Sequence, residues 1–358
     1  MASSCIVPVV KLENVRKHPN ADKLDLADVL GYQVAIAKDK HKSGDVVIYF
    51  PADTIISSKW AEKFGVRDFL RGKDKDRVGK IKLRGEPSFG LVVDVPDELD
   101  CNVGDNVAEY FEAKKYEPPI NPHQADMAKY DSDIDPYFQK YTDIENGLIY
   151  IDVFKQGEEI VANEKIHGSN CRVGCVHENI VAGSHTTRRK YPQVDGVDCS
   201  VDDEQIRRSI YWYPWSIESV RNMISDLSKE FIEIILYGEV YGRSIQSLDY
   251  GIPKGQGLGF RAFDLLLNDK YVDYDRFCSL CDQYGVERVP EIYRGPFDIN
   301  KIKEIADGNS LISEANHIRE GVVVKPVKER TDPKIGRAIL KYIGTEYSLS
   351  KKSDYKDV

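Results

Sequence analysis

The chain has 358 residues, of which 41% are hydrophobic and 30% charged, and its net charge is −9. This length suffices for two domains with separate cores, while the acidic balance argues against a general nucleic-acid coat protein but leaves room for a local basic groove. No apolar run reaches the roughly 18 residues of a membrane helix, and we expect no signal peptide. Seven scattered cysteines favour reduced thiols in an intracellular, cytoplasmic compartment.

Residues 1–110 predict a β-rich first domain. Segments rich in Val and Ile, bounded by polar turns, occur at residues 5–15, 32–39, 42–54 and 89–99. Between them, residues 57–66 predict one short helix with Ser57 or Ser58 as its N-cap. Several short strands and one helix in about 100 residues are typical of a small barrel.

Residues 17–54 carry a more specific pattern. The HPNAD turn from His18 to Asp22, the glycine at Gly31 and the strand that ends in Pro51 resemble OB-fold domains of the tRNA-binding type. Because OB-folds often bind oligonucleotides, the resemblance gives weight to a run at residues 71–84 with seven Lys or Arg and two Asp. Without it, a solvated loop or edge strand is the better interpretation. The predicted RNA contacts are Arg71, Lys73, Lys80, Lys82 and Arg84.

Residues 111–145 are rich in Pro, Asp and Tyr and predict a connector, after which residues 146–358 mix helical and strand patterns. Helices are predicted at about 217–231, 273–285 and 299–308, and strands at 233–240, 259–268, 319–327 and 337–344. Cys278 and Cys281 form the only CxxC, and without a second pair they indicate buried or half-buried thiols on a helix instead of zinc ligands.

Six polar segments follow in order through this second half. They are EKIHGSN (164–170), GSHTTRRK (183–190), YGEVYG (237–242), GFRAFD (259–264), REGVVVKP (319–326) and AILKYIG (338–344). Each alone is a weak signal, since a lysine or glutamate at a strand end is usually solvated. Together they place Glu239, Glu320, Lys325 and Lys341 in apolar strands, where a charge is expensive unless it is paired.

A lysine with these neighbours suggests nucleotide chemistry. Cations and desolvation around Lys165 would lower the pKa of its amine and free the lone pair. The two glutamates could hold a hydrated Mg²⁺ or Mn²⁺, a second lysine could neutralise a transferring phosphoryl group, and an aromatic ring could stack on a purine. The constellation predicts attack by Lys165 on the α-phosphate of a nucleotide.

The six segments match, in order and spacing, the motifs of the covalent nucleotidyltransferase superfamily of DNA ligases, RNA ligases and capping enzymes. His167, where many members carry Asp, and an OB domain that precedes the transferase domain resemble the RNA ligases of Naegleria and Deinococcus type. The resemblance implies an α+β fold in which an OB-fold β-barrel is followed by a nucleotidyltransferase domain of antiparallel, ATP-grasp-like sheets. It also implies ATP, Mg²⁺ or Mn²⁺, and a monomer that joins a 3′-OH RNA end to a 5′-phosphate, at nicks in duplexes.

The resemblance also assigns roles to single residues. Lys165 would become adenylylated, Lys341 would contact the α-phosphate, and Glu239 and Glu320 would position metal-bound waters. The predicted nucleotide contacts are Glu164 near the adenine edge, Asn170 at the ribose and phosphate, Phe260 stacked on adenine, and Lys325 and Arg188 at phosphates.

Two positions depart from the family pattern, and two other functions stay open. His185 stands where many relatives have an arginine, and Ile343 stands where a second lysine is common. Arg188 or Arg189 could replace the first contact. The alternatives are a DNA ligase or capping enzyme, and an RNA-binding protein with a degenerate transferase domain.

Overall fold

The computed structural model describes residues 5–116, 137–194, 197–200 and 202–350. The chain divides into two compact units, one that reaches to Pro119 and one that spans Ile120–Ser353. Most of the connector predicted for residues 111–145 lies outside the described residues. None of the helices in the described ranges has the length and apolarity that crossing a membrane requires.

The first unit is built from short strands, as its sequence predicts. Three-stranded sheets form in the orders β1-β5-β9 and β2-β3-β4, and pairs form between β6 and β10 and between β7 and β8, all antiparallel. The predicted helix is observed as α1 (Ser58–Lys63), followed by a 3₁₀ turn at Arg67–Phe69. The strands are β1 (Val9–Lys11), β2 (Glu13–Lys17), β3 (Leu24–Val29), β4 (Tyr32–Ala37), β5 (Val46–Phe50), β6 (Thr54–Ile55), β7 (Lys80–Leu83), β8 (Glu86–Phe89), β9 (Leu91–Asp94) and β10 (Lys114–Lys115).

The HPNAD turn of the first unit is tied to the β7–β8 hairpin. The buried His18 ring contacts Leu83 O through Nε2 at 3.0 Å and accepts the Asn20 N–H at Nδ1, also at 3.0 Å. Asn20 Nδ2 donates to Arg84 O at 3.1 Å. The turn that carries the OB-fold resemblance therefore holds the hairpin that carries part of the basic run.

The second unit contains two five-stranded sheets. The lysine sheet, named for Lys165 and Lys341, has the order β11-β24-β21-β12-β20, and the glutamate sheet, named for Glu239, has the order β14-β13-β17-β18-β19. The strands are β11 (Glu145–Asn146), β12 (Glu159–Lys165), β13 (Ser169–Val176), β14 (Asn179–Ser184), β15 (Gln193–Val194), β16 (Val197–Asp198), β17 (Glu233–Tyr241), β18 (Gly259–Leu267), β19 (Lys270–Tyr271), β20 (Glu291–Pro296), β21 (Gly321–Pro326), β22 (Thr331–Asp332), β23 (Gly336–Arg337) and β24 (Leu340–Ile343).

Helices flank the two sheets of the second unit. They are α2 (Glu204–Arg208), α3 (Glu218–Leu227), α4 (Tyr274–Tyr284), α5 (Ile299–Ala306) and α6 (Thr345–Leu349), with a 3₁₀ turn at Tyr213–Ser216. The apolar side chains of α3 and α4 pack with one face of β13, β17 and β18. On α4, Cys281 is buried and Cys278 half-buried, and burial raises the pKa of Cys281 to about 12. The expectation of unreactive helix thiols is thus confirmed.

The two sheets pack face to face through their other sides. Val181, Ile235, Tyr237 and Leu266 of the glutamate sheet share one apolar cluster with Ile339, next to β24. Residues opposite each other in an antiparallel pair project to the same side, so the register fixes which polar side chains enter the space between the sheets. All three helices and four strands predicted for this half are observed within a few residues.

Candidate active site

Lys165 lies at the last position of β12, where the lysine sheet meets the EKIHGSN loop. Its Nζ donates to Glu320 Oε1 at 2.7 Å, and Glu320 immediately precedes β21, the strand paired with β12. Lys165 is opposite Gly321 in that pairing, which brings motifs 155 residues apart in sequence into contact. The group beside the Lys165 amine is thus a carboxylate, and not the cations that the sequence led us to expect.

Glu320 also faces the histidine of the same loop. His167 Nδ1 lies 3.4 Å from Glu320 Oε2 and 3.4 Å from Tyr347 Oη, and the His167 backbone N–H donates to Tyr250 Oη at 2.6 Å. Burial alone would raise the pKa of Glu320, but Lys165 and His167 outweigh it and lower that pKa. Glu320 is therefore a carboxylate at neutral pH, hydrogen-bonded to Lys165 and close to the His167 ring.

The pKa of the second glutamate, Glu239, is shifted in the opposite direction. It lies on β17, paired in register with Asn170 on β13, and both side chains line one cavity between the sheets. Burial raises the pKa of Glu239 to about 8; Lys165 opposes this shift, Glu320 adds to it, and a hydrogen bond from the Gly168 backbone opposes it. Glu239 and Glu320 are thus carboxyl groups of one site with different protonation at neutral pH, a pattern that is typical of functional sites.

The cavity between the sheets has a volume of about 210 Å³. It is below the roughly 300–1,000 Å³ of pockets for drug-sized ligands, so it suits a nucleobase better than a whole nucleotide. The lining combines polar groups at one end with apolar walls: Tyr141, Ile144, Asn163, Glu164, Lys165, Ile166, Asn170, Glu239, Phe263, Asp264, Val289, Val323, Lys325 and Ile339.

The aromatic rings at this cavity are those of Phe263 and Tyr141, and the structure does not place Phe260 there. Phe260 is 5% exposed and belongs to the core on the helix side of the glutamate sheet. A Cβ at Gly238, on the neighbouring strand, would lie 2.3 Å from the Phe260 ring, so this ring occupies the space that the glycine of YGEVYG leaves open.

A β-bulge in β18 lets two consecutive residues, Phe263 and Asp264, face the cavity. Tyr237 pairs with Asp264 while Gly238 pairs with Ala262, which leaves Phe263 as the extra residue. The bulge interrupts the alternation of side chains, and Phe263 and Asp264, adjacent in sequence, both line the cavity.

Lys325 lies in a buried charge cluster and not at an open phosphate position. It is 3% exposed, its Nζ donates to Phe263 O at 3.0 Å, and it is paired with Asp264. Arg337 Nη1 contacts the other Asp264 oxygen at 2.9 Å, and the Tyr141 hydroxyl donates to that same oxygen. Burial alone would raise the pKa of Asp264, but the two cations outweigh it and lower that pKa. The cluster thus holds Phe263 against the lysine sheet.

Glu164 and Lys341 occupy the two sides of the lysine sheet. The Glu164 carboxylate accepts bonds from Ser310 Oγ at 2.6 Å and Leu311 N at 2.7 Å, so it anchors a loop, although the residue borders the cavity. Lys341 is opposite Val323 in the β21–β24 pairing, and Val323 lines the cavity. Lys341 therefore projects to the side of the lysine sheet that faces the cavity, although it is not one of the lining residues.

The GSHTTRRK segment reaches another part of the second unit. Arg188 lines a separate cavity at the outer edge of the glutamate sheet, not the one beside Lys165. His185 Nε2 lies 3.6 Å from Asp143 Oδ1, and burial lowers the pKa of His185 more than Asp143 raises it. The structure therefore brings together Lys165, Glu239, Glu320 and Asn170, adds Phe263, and leaves out Arg188 and Phe260.

Comparison with known families identifies this arrangement. A family model described as RNA ligase matches residues 158–343, a range that contains five of the six polar segments and all but the last residue of the sixth. The chain belongs to the RNA ligase family. A second model, described as an OB-fold domain, matches residues 6–95 and confirms the expected fold of the first unit. No curated protein matches this chain significantly.

Solved RNA ligase structures share the fold over nearly the whole chain. The Naegleria gruberi RNA ligase with PPi has a TM-score of 0.72 at 21% identity and covers 98% of this chain and 99% of its own. A mutant of that enzyme with ATP and Mn has the same values, and another with AMP and Mn has a TM-score of 0.73 at 21% identity, covering 96% and 98%. The resemblance to RNA ligases of Naegleria type, with the OB domain first, is confirmed.

The residues of this RNA ligase site also fit a hydrated divalent cation. Among the described residues, no three His, Cys, Asp or Glu side chains are arranged to bind a metal directly. Two buried oxygens, Asn170 Oδ1 and Glu320 Oε2, have no hydrogen-bond partner within the described ranges. Oxygen acceptors of this kind suit Mg²⁺, which keeps several of its waters.

The predicted RNA contacts lie on the first unit and are accessible to solvent. Lys73, Lys82 and Arg84 are exposed, and Arg71 and Lys80 are half-buried. Lys80 and Lys82 are on β7, and Arg84 follows in the turn to β8 with a positive φ of 48°. Phe69, which precedes the run, is 61% exposed, an unusual position for a large aromatic side chain and one that the sequence analysis did not select.

Proposed function

We propose that this RNA ligase is ATP-dependent and joins a 3′-OH RNA end to a 5′-phosphate end at nicks in duplexes, through lysyl-AMP and RNA-adenylate intermediates. The observation that carries the proposal is the position of the Lys165 amine. It borders a base-sized cavity walled by Phe263 and stands between the carboxyl groups of Glu239 and Glu320. A purine stacked on Phe263 would direct its phosphates toward that amine.

In the first step, Lys165 Nζ attacks the α-phosphorus of ATP, a P–N bond forms, and the bond to the leaving pyrophosphate breaks. The amine must first lose a proton, and Glu320 Oε1, 2.7 Å away, is the atom placed to accept it. Lys341, on the same side of the lysine sheet, would neutralise charge on the α-phosphate. A divalent cation held through waters by Glu239, Glu320 and Asn170 would supply further neutralisation of the phosphates.

In the second step, an oxygen of the RNA 5′-phosphate attacks the same phosphorus and the P–N bond to Lys165 breaks, which releases the amine. In the third step, the 3′-OH attacks the activated 5′-phosphate and AMP leaves. The exposed cations Lys73, Lys82 and Arg84 of the first unit are proposed to hold the RNA that flanks the junction.

The first step can be tested without RNA. The purified protein is incubated with α-labelled ATP and Mg²⁺ or Mn²⁺ and separated on a denaturing gel. We expect a labelled band, absent in Lys165→Ala and Lys165→Arg because neither side chain can form the P–N bond, and retained in Lys155→Ala, an exposed lysine of the same unit. Absence of label with either metal, after treatment with pyrophosphate to remove AMP already attached, would favour the RNA-binding alternative.

A comparison of two nicked substrates tests the alternative that the protein is a DNA ligase. A nick with a ribose 3′-OH terminus and an all-DNA nick differ in the groups that a ligase of RNA must read, including the 2′-OH. We expect sealing of the first and little sealing of the second. Equal sealing of both would favour a DNA ligase.

We also propose that the enzyme acts as a cytoplasmic monomer. The seven cysteines are free thiols, four of which, Cys171, Cys175, Cys199 and Cys281, are buried in the core of the second unit. Thiols of this kind suit a reducing intracellular compartment. Light scattering of the purified enzyme, with and without RNA, measures the oligomeric state.

A further inference from the structure

The separate cavity that contains Arg188 lies at the outer edge of the glutamate sheet. After β14, the chain turns at residues 185–187 and returns along that edge strand, with a bridge between Gly183 and Arg188 and a bond from Arg189 N to Ala182 O at 2.8 Å. This return places three consecutive cations, Arg188, Arg189 and Lys190, on the wall of one concave surface.

The cavity has a volume of about 350 Å³ and is lined by Ile180, Arg188, Arg189, Lys190, Tyr191, Gln193 and Trp212. No carboxylate is part of this lining, which is unusual in a protein whose net charge is −9. A concave surface with one sign of charge focuses the field toward anions. The charge and the aromatic wall are therefore complementary to a nucleotide unit of a polynucleotide.

The walls are rigid enough to act as a binding surface. Trp212 Nε1 donates to Lys190 O at 2.8 Å and thereby fixes the backbone beneath the cations. The rings of Tyr191 and Trp212 meet edge to face at 4.6 Å, and the Arg189 guanidinium lies 4.7 Å from the centre of the Tyr211 ring. Lys190 itself is exposed, so its ammonium is available to a ligand.

The cavity lies away from the nucleotide site but along the same sheet. Ser184 pairs with Cys171, next to Asn170 of the site, whereas Ile180 of the cavity is at the other end of β14. Arg188 bridges Gly183, at the end of β14 nearer the site, and Lys190 follows two residues later on the chain that returns toward Ile180. The cavity therefore extends along the edge strand over about 13 Å, the span of four residues of strand, which corresponds to roughly four nucleotides at 3.4 Å of axial rise per nucleotide. A cation cluster in this position can hold the strand that leads to the reacting phosphate.

We propose that this basic cavity binds the phosphate backbone of the RNA strand within about four nucleotides of the junction, with Lys190 and Arg188 as the phosphate contacts and Tyr191 as the wall against which a base rests. The inference rests on the proposed function, because it assigns a second RNA-holding surface to the same ligase. It concerns the transferase unit, whereas the predicted RNA contacts of Arg71 to Arg84 belong to the OB-fold unit.

The test measures binding of a nicked RNA duplex over a range of salt concentrations, without ATP. Lys190→Glu should weaken binding roughly tenfold and lower the slope of log Kd against log salt by about one, since one phosphate contact is lost. Arg188→Gln, which removes charge at similar size, should act in the same direction. Lys270→Glu is the matched control, because Lys270 is an exposed lysine on β19 at the opposite edge of the same sheet.

Formation of the lysyl-AMP band separates this inference from the proposed function. Lys190→Glu should form the band at the wild-type rate, since the first step needs no RNA, and this also shows that the variant is folded. If Lys190→Glu and Arg188→Gln bind RNA with the affinity and salt slope of Lys270→Glu, the inference is wrong. If the wild-type protein forms no lysyl-AMP band, and Lys190→Glu and Arg188→Gln both bind RNA more weakly than the wild-type protein, the cavity binds RNA but the proposed ligase activity is wrong.

Discussion

At the scale of single residues, the site is defined by two glutamates whose charges differ. Glu320 is held ionised by Lys165 and His167, whereas burial raises the pKa of Glu239 to about 8. A carboxyl group that is buried beside another carboxylate destabilises the empty protein, and such a cost is expected where a cationic or phosphate ligand later compensates it. The clearest consequence is a dependence of stability on pH.

The direction of this pH dependence follows from the pKa of Glu239 in the folded and in the unfolded protein. Its pKa is about 8 in the fold and near 4.3 in an unfolded chain, so between these pH values the folded state binds the extra proton. Stability is therefore fully present below about pH 4 and is lost as pH rises toward 8. Glu239→Gln should remove this loss and stabilise the metal-free protein at pH 8 by about 1–3 kcal/mol, which is less than the unscreened conversion of 1.36 kcal/mol per pKa unit because part of the Glu239 surface remains open to solvent.

Urea unfolding at pH 5 and pH 8, without ATP or divalent cations, measures the effect. Glu230→Gln changes an exposed glutamate and serves as the control. The Glu239→Gln variant should also lose lysyl-AMP formation, so that it is more stable and less active. An equal fall in stability between the two pH values for both variants would show that Glu239 does not hold the extra proton.

At the scale of elements, β18 presents its two phenylalanines to opposite faces of the glutamate sheet, as residues three apart in a strand do. Phe263 lines the cavity, and Phe260 lies against Gly238 in the helix-side core. The two phenylalanines of GFRAFD therefore have different predicted phenotypes, although they are three residues apart.

Phe263→Leu should weaken ATP binding by roughly 5- to 100-fold, because stacking on an aromatic ring is worth about 1–3 kcal/mol per base and leucine retains only the apolar volume. Phe260→Leu should leave ATP affinity unchanged and lower the unfolding free energy by about 1–3 kcal/mol, since it leaves a gap above Gly238. Fluorescent-ATP titration and thermal unfolding of both variants separate the two effects. The assignment is wrong if Phe260→Leu, and not Phe263→Leu, loses ATP affinity.

The same strand shows how far sequence reasoning reaches. The order of six segments was enough to predict the fold and the meeting of Lys165 with Glu320 and Glu239, because a charged residue in an apolar strand must find a partner. Alternation places Phe260 and Phe263 on opposite faces of the sheet but does not tell which of them faces the cavity. Nor could the sequence predict the bulge that brings Asp264 to the cavity side beside Phe263. Glu164, Lys325 and Arg188 were placed by motif membership alone, and their actual partners are Ser310, Asp264 and a second cavity, which depend on tertiary packing.

At the scale of the whole molecule, an acidic protein binds a polyanion through local surfaces. The net charge is −9, yet seven cations fall within residues 71–84 and three more line the edge cavity of the second unit. Such local fields can hold RNA while the rest of the surface repels non-specific contacts. On the two proposals together, the second unit performs the chemistry and both units hold the RNA strand.

The OB-fold hairpin offers the test at this scale. Lys82 and Arg84 are exposed on β7 and its turn, and the hairpin is anchored by His18 and Asn20, so charge reversal there should not disturb the fold. Lys82→Glu/Arg84→Glu should lower sealing of nicked RNA at limiting enzyme and reduce the salt slope of RNA binding by about two. Formation of lysyl-AMP should be unchanged, because that step needs only ATP.

Lys42→Glu, a charge reversal at another exposed lysine of the first unit, controls for net charge. Combining Lys82→Glu/Arg84→Glu with Lys190→Glu should add the two losses, since energies of sites without shared partners are usually additive. If the hairpin variant seals RNA like the Lys42→Glu control while Lys190→Glu does not, the RNA is held by the transferase unit alone. The OB-fold would then need another role than gripping the nicked strand.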